Sequence, residues 1–148
     1  MTDTLRELLN AHESQHFATD VGTRMHAKMQ CITISDNETH GDADIIANIK
    51  SHPELLPFFA PAAMTEVPVA GTIRGRFVSR RIDRMVVNHD AKTVLIMDYK
   101  TNVNPDAFRN LYHAQVGEYM DLLCMIYPGC DVRGFILWTH DFSLERVQ

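Results

Sequence analysis

The sequence predicts a three-layer core of the α/β or α+β class. Three observations carry this expectation. Apolar residues recur at helical spacing through the first part of the chain, and from Met64 the period changes to two. The run Val94-Leu95-Ile96-Met97 is apolar without interruption, as a central strand covered on both faces requires. A long helical pattern then separates that run from two final strands, the order of a strand–helix–strand unit.

Each element has its own local warrant. Thr4 and Glu7 form a capping-box pattern that opens a short helix to about His16. Asp20 is placed to cap a second helix, with Val21, Met25 and Met29 at helical spacing. Gly22 inside it costs helix propensity and marks close packing. Residues 33–41 are polar and read as a loop. Residues 42–50 are helical through Ile45, Ile46 and Ile49. Ser51, Pro53 and Glu54 then signal a further short helix ending near Phe59. Strands are expected over 64–70, 74–87 and 92–98, the last two joined by a turn at 88–91. Asn104 and Pro105 open the longest helix, which Pro128 and Gly129 stop after Tyr127. Residues 132–139 and 143–147 are the closing strands. No repeat or linker divides the chain. A single domain is expected over 1–148, mainly helical in 1–60, with the sheet and long helix in 61–148.

Composition narrows the function. With 148 residues, 45% hydrophobic and 22% charged, the chain suits a globular domain and excludes extended disorder, collagen and a coiled-coil rod. No run approaches the length of a membrane span, and the opening MTDTLRELLNAHESQ is too polar for a secretory leader, so no membrane association is expected. Cys31, Cys124 and Cys130 are an odd set without metal spacing, which points to a reducing, cytoplasmic setting. The net charge of −5 argues against a non-specific nucleic-acid coat, but its distribution is uneven. Five arginines crowd one stretch: Arg74, Arg76, Arg80, Arg81 and Arg84. They are either a strip that holds phosphates or a salt-bridged strand pair.

Two carboxylates stand in apolar surroundings. Asp83 lies among Ile82, Met85, Val86 and Val87, and Asp98 ends the run from Val94. A carboxylate at the end of a buried strand is costly unless it is paired, hydrogen-bonded or metal-bound. On neighbouring strands the two can hold one hard divalent cation, and Mg²⁺ wants oxygen ligands. Lys100 follows Asp98 on the same side of the strand, where it can orient or deprotonate an attacking water or stabilise phosphate charge. A bare D-x-K triplet is weak by itself, and an ordinary surface ion pair has the same spacing. His26, on the second helix, would suit Mn²⁺ as an extra ligand or simply pack. Gln115 and Tyr119 share one face of the long helix and need polar partners there. Glu66 is the single acid of its strand and is expected in a supporting role. His12 and His16 lack any zinc pattern.

Taken in order, Gly22-Thr23-Arg24-Met25-His26, Glu66-Val67-Pro68-Val69, Arg81-Ile82-Asp83-Arg84, Asp98-Tyr99-Lys100-Thr101-Asn102 and Gln115-Val116-Gly117-Glu118-Tyr119 resemble a known pattern. It is that of the RecB-like nuclease domains of the PD-(D/E)XK superfamily, and most of all the C-terminal nuclease domain of the AddA subunit of AddAB helicase–nucleases. The segment Tyr127-Pro128-Gly129 with the strand after it also looks like that family's ending. The resemblance covers about 18–148.

The resemblance implies a restriction-endonuclease-like α/β core, with a mixed central sheet flanked by helices. It implies His26, Asp83, Asp98 and the backbone carbonyl of Tyr99 as metal ligands, Lys100 as the catalytic lysine, and Gln115 and Tyr119 as support for the catalytic centre and the DNA strand. Arg74, Arg76, Arg80, Arg81 and Arg84 are expected on DNA. The implied cofactor is Mg²⁺, with Mn²⁺ as alternative and no iron–sulfur cluster. The implied activity is DNA hydrolysis, expected as an exonuclease, in double-strand break processing and recombination. The implied partners are DNA, a helicase module in the same chain or complex, and an AddB-like subunit. One departure is Ser79-Arg80-Arg81, where the family often has glycine before the first aspartate. No helicase P-loop occurs, so the chain is either an excised domain of a larger enzyme or a stand-alone relative, and its family-like ending favours a C-terminal fragment. Two alternatives stay open at this point: a non-catalytic DNA-binding module on the same fold, and a protein-interaction domain using the helix at 105–127.

Overall fold

The structure is a computed structural model that describes residues 5, 6, 9, 20–103 and 105–148. The Thr4/Glu7 box, the helix it opens, His12, His16 and the Asn104 start signal lie outside the described residues.

The first layer is helical. α1 spans Asp20–Gln30. α2 (Ala43–Lys50) is capped by Asp42, whose side chain accepts from the N–H groups of Asp44 and Ile45 at 3.0 and 3.1 Å. A 3₁₀ turn (Pro53–Leu55) and α3 (Leu56–Phe59) follow. The segment read as a loop contains a small hairpin, β1 (Thr33–Ile34) with β2 (Thr39–His40). Ser35 closes it by exchanging hydrogen bonds with the Glu38 backbone, an arrangement too short to leave a period in the sequence.

The second layer is one mixed sheet. Its strands are β3 (Met64–Ile73), β4 (Arg76–Asn88), β5 (Thr93–Lys100), β6 (Asp131–Trp138) and β7 (Ser143–Val147), in that spatial order. Every pairing is antiparallel except β5 with β6, which is parallel. That one parallel pair needs a crossover. α4 (Arg109–Ile126) supplies it after a 3₁₀ turn at Pro105–Ala107, and forms the third layer. The turn between β3 and β4 is Arg74-Gly75, both at positive φ (50° and 78°), with Ile73 paired to Arg76. Two positive φ values are the signature of a type I′ hairpin turn. The strand boundary therefore falls after Ile73, not after Ala70.

The β5 run is apolar throughout because both its faces are buried. Val94 and Ile96 join Tyr112, Val116, Leu122 and Leu123 of α4. Met97 and Tyr99 join Met29, Ile45, Ile49, Phe58 and Phe59 on the opposite side. In β4 the alternation slips. Ile82 and Met85 both belong to the α4-side core, although they are three residues apart and strict alternation allows only even spacings. Across the ladder Glu66 has φ +52°, a left-handed conformation costing about 1–2 kcal/mol for a residue with a Cβ. The β3–β4 pairing steps over this point, joining Thr65 to Arg84 and Val67 to Ile82. On the other flank the β4–β5 ladder ends at Arg84 and Met97.

The slip turns Arg84 inward and corrects its expected role on DNA. Arg84 is 1% exposed and has no surface on which to meet a phosphate. Its Nε donates to the Tyr99 hydroxyl at 2.7 Å, Nη1 to the Phe58 carbonyl at 3.0 Å, and Nη2 to the carbonyls of Met29 and Ile32 at 2.7 and 2.8 Å. The guanidinium also lies 4.2 Å from the centroid of the Phe59 ring. One side chain thus ties α1, α3 and β5 to β4.

This packing can be tested at two positions. Arg84→Met takes the guanidinium donors from a hydroxyl and three carbonyls, of which that of Met29 keeps the Ile32 N–H at 3.2 Å. At about 1–3 kcal/mol for each group left without a donor, urea titration should show about 3 kcal/mol or more of lost stability, with Arg84→Lys recovering only part. At Gly134 of β6 an added Cβ would meet Val116 Cγ1 at 2.6 Å and Met120 Sδ at 2.7 Å. Gly134→Ala should therefore cost about 1–3 kcal/mol by overpacking, and unchanged denaturation midpoints would show that α4 and β6 can separate freely.

Candidate metal centre

The slip in β4 is where the chemistry collects. The registers of β3–β4 and β4–β5, continued by one step, set Glu66, Asp83 and Asp98 in a row across three strands. The ladder does not use the Tyr99 N–H on the β4 side. It donates instead to Asp83 Oδ2 at 2.8 Å, so the carboxylate takes the place of a strand carbonyl. The other oxygen, Oδ1, lies 3.0 Å from Nε2 of His26, which α1 brings over the sheet. The His26 ring meets the Tyr99 ring edge-on at 5.2 Å. Glu66 completes the group: ligand-capable atoms of His26, Glu66 and Asp83 all lie within 4.8 Å of one another.

Asp98 stands beside this set, engaged with Lys100. Its Oδ2 is 2.9 Å from Lys100 Nζ, and both side chains are only 8% exposed. Lys100 Nζ also sits 4.4 Å from the centroid of the Tyr112 ring. The Lys100 carbonyl is held by the N–H of Thr139 at 2.9 Å. From α4, Gln115 Nε2 donates to the Tyr119 hydroxyl at 2.8 Å, and the Tyr112 hydroxyl donates to Asn102 at 2.9 Å. His26, Asp83, Asp98, Tyr99, Lys100, Gln115 and Tyr119 all line one cleft of about 310 Å³, with Tyr112, Ser79, Arg80 and Arg81. Tyr112 did not stand out in the sequence. Its signal was its position three residues before Gln115, on the same helix face.

Burial and neighbouring charge set the protonation of these groups. Burial pushes the Asp83 carboxyl well above the usual carboxylate range, and the neighbouring charge of Asp98 pushes it further. The Tyr99 N–H and Lys100 act against that shift without cancelling it. Burial lowers the His26 imidazole, although Asp98 and Glu66 pull it up, which favours the neutral ring that a metal ligand must present. A nitrogen and carboxylate oxygens at this separation can together hold a divalent cation. Thiolates, the usual mark of a structural zinc, are absent from the group.

The arginine strip divides. Arg74, Arg76 and Arg81 are exposed, Arg81 with Nη1 3.9 Å from Glu66 Oε2. Arg80 is half-buried and pairs with Glu118 of α4 at 2.9 Å. Arg84 is the buried bracket described above.

No family model matches the chain, and no curated protein matches it. Solved structures do. A candidate exonuclease from Eubacterium rectale is similar at a TM-score of 0.51 and 14% identity, over 97% of this chain and 59% of that one. The protein SSO0001 is similar at a TM-score of 0.42 and 13% identity, over 71% of this chain and 46% of that one. The chain thus spans about half to three-fifths of the length of these structures. The likeness to the first is one of fold, an α/β core with a mixed five-stranded sheet flanked by helices. Among the described residues no helix is long and apolar enough to cross a membrane.

The raised Asp83 carboxyl gives a prediction with a definite sign. Its contribution to the metal-free fold is complete below the ordinary aspartate range and is lost as pH rises toward the elevated folded value. Metal-free stability should therefore fall over that interval, and Asp83→Asn should flatten the fall. Mn²⁺ should restore stability at neutral pH, by about 2.7 kcal/mol at a hundredfold excess over Kd, and Asp83→Asn should abolish that gain. Thermal melts with chelator and with Mn²⁺ measure both effects.

Proposed function

We propose that this chain is a divalent-metal-dependent nuclease domain that hydrolyses DNA phosphodiester bonds. The observation that carries the reading is the convergence of His26, Asp83 and the Asp98–Lys100 pair on one cleft, with Glu66 within 4.8 Å of His26 and Asp83 in the same donor set. His26, Glu66 and Asp83 would hold the cation, with Asp98 and the Tyr99 carbonyl as further oxygens. A bound divalent cation supplies charge neutralisation at the phosphate and makes an adjacent water more acidic.

The chain's own residues do the rest. Lys100 brings an ammonium to the cleft, where it stabilises the extra negative charge of the phosphorane-like transition state. Asp98 holds that ammonium at 2.9 Å, so its position costs no reorganisation as charge develops. Gln115 and Tyr119, already joined to each other, offer polar groups to the strand from the α4 side. Arg74, Arg76, Arg80 and Arg81 contribute the sequence-independent attraction for phosphates.

The finer reading follows the motif resemblance. The domain is AddA-like and acts as an exonuclease in the cytoplasm, on strands released by a helicase module with an AddB-like partner, in double-strand break processing. The chain would then be the nuclease part of a longer enzyme.

The test is cleavage of labelled single- and double-stranded DNA with Mg²⁺ or Mn²⁺. Lys100→Met should lower the cleavage rate about 100-fold or more while leaving Mn²⁺ binding intact, because the amine is not a ligand. Tight DNA binding without any cleavage would overturn the enzyme and leave a binding module.

A further inference from the structure

One face of the β3–β4 ribbon is not covered by any described helix. Register pairs Pro68 with Arg81, Ala70 with Ser79 and Thr72 with Phe77, and all six residues are exposed. Their sequence neighbours Val69 and Val78 point the other way, into the core beneath α4. Phe77 is 68% exposed, the only large apolar side chain among the six. Buried contacts do not account for an aromatic ring there, because the hairpin's core side is already filled by Val78 and Ile73.

The surroundings select the occupant. Arg74 is exposed in the turn at the hairpin tip, and Arg81 stands at the other end of the row; Arg76, with the parity of Val78, points to the α4 side. Ser79 and Arg81 are themselves part of the cleft lining. The row is therefore continuous with the candidate metal centre. Phe77 lies six positions before Asp83, roughly 20 Å along the strand. Small and polar residues separate the ring from the cleft, leaving little apolar area for a protein partner, whereas positive charge at both ends complements a phosphate backbone. An exposed ring on a strand with an exposed arginine toward each end suits the stacking of an unpaired base beside its phosphates.

We infer that this face is a track for single-stranded DNA, with Phe77 stacking a base several nucleotides from the scissile phosphate. The inference rests on the nuclease reading for its direction, toward the cleft, but is tested by binding. Oligodeoxythymidine is titrated against the full chain with Ca²⁺ in place of Mg²⁺, so that binding is read apart from cleavage. Phe77→Ala should weaken binding roughly 5- to 150-fold, the loss of one stacked base. A dinucleotide, too short to reach from the cleft to the ring, should bind both proteins alike. In Phe77→Trp, binding should be retained and the new indole fluorescence quenched, with the wild-type chain supplying the baseline from buried Trp138. Wild-type affinity in Phe77→Ala, an indole signal in Phe77→Trp that stays unquenched at saturation, or no oligonucleotide binding at all would overturn the track. So would a wild-type dimer in sedimentation that Phe77→Ala dissociates, because a second copy would then own the face. Cleavage by the wild-type chain with an inert Phe77→Ala sinks the track alone. Weakened binding without any wild-type cleavage sinks the nuclease reading alone.

Discussion

The Arg84 guanidinium is the constraint on which the rest of the site depends. Its four hydrogen bonds reach a phenol and three main-chain carbonyls, and no carboxylate is among those partners. The charge is accommodated by dipoles. Met29 lies in the last turn of α1 and Ile32 two residues beyond its end, where backbone carbonyls carry the negative end of the helix dipole. Binding those carbonyls fixes the end of α1, and His26 sits one turn earlier on the same helix. Binding the Tyr99 hydroxyl fixes β5 one residue beyond Asp98. Histidine and carboxylates come from elements far apart in sequence, and one residue adjoining Asp83 sets the distance between them.

The irregularity in β3 and β4 is the counterpart of that bracket. A regular ladder would spend the Tyr99 N–H on a strand carbonyl, and a regular alternation would keep Arg84 on the α4 side with Ile82. The slip at Asp83 and the left-handed turn at Glu66 remove both restrictions together. The distortion is local because the ladder resumes on either side, at Thr65 with Arg84 and at Val67 with Ile82. Strain of this kind persists only where its surroundings over-determine it. Here they do: Ile82 is locked into one core and Arg84 into the other.

This also explains what was legible in the sequence. The layer order, β5 as a covered central strand and α4 as the crossover were readable because each rests on a long periodic signal. The turn at Arg74-Gly75 was not, because arginine is an unusual residue at positive φ and the usual Asn-Gly mark is missing. Asp83, Asp98 and Lys100 could be named as a group because apolar residues surround them, and charge in such a setting needs a partner. Arg84 misled for the same reason in reverse. In a run of five arginines it looks like one more surface charge, and only the slip, a property of two paired strands, turns it inward. Glu66 was assigned a supporting part because a lone acid on an exposed strand has no sequence mark of convergence. The structure sets it within ligand distance of His26 and Asp83.

The cleft is therefore a site that repels itself in the absence of a cation. Glu66, Asp83 and Asp98 lie in one row, and the nearby amine of Lys100 is already committed to Asp98. Burial removes the water that would otherwise screen the row. Protonating Asp83 is one escape, and burial with the Asp98 charge raises its carboxyl in that direction. In the proposed reading a divalent cation is the other, because it would satisfy several oxygens at once beside a neutral His26. In the proposed reading the same arrangement would reconcile an acidic chain with a polyanionic substrate. The acids are gathered at the cleft, and Arg74, Arg76 and Arg81 are exposed. A phosphate arriving over those arginines would meet positive charge first, and would reach the carboxylates only with a metal between them.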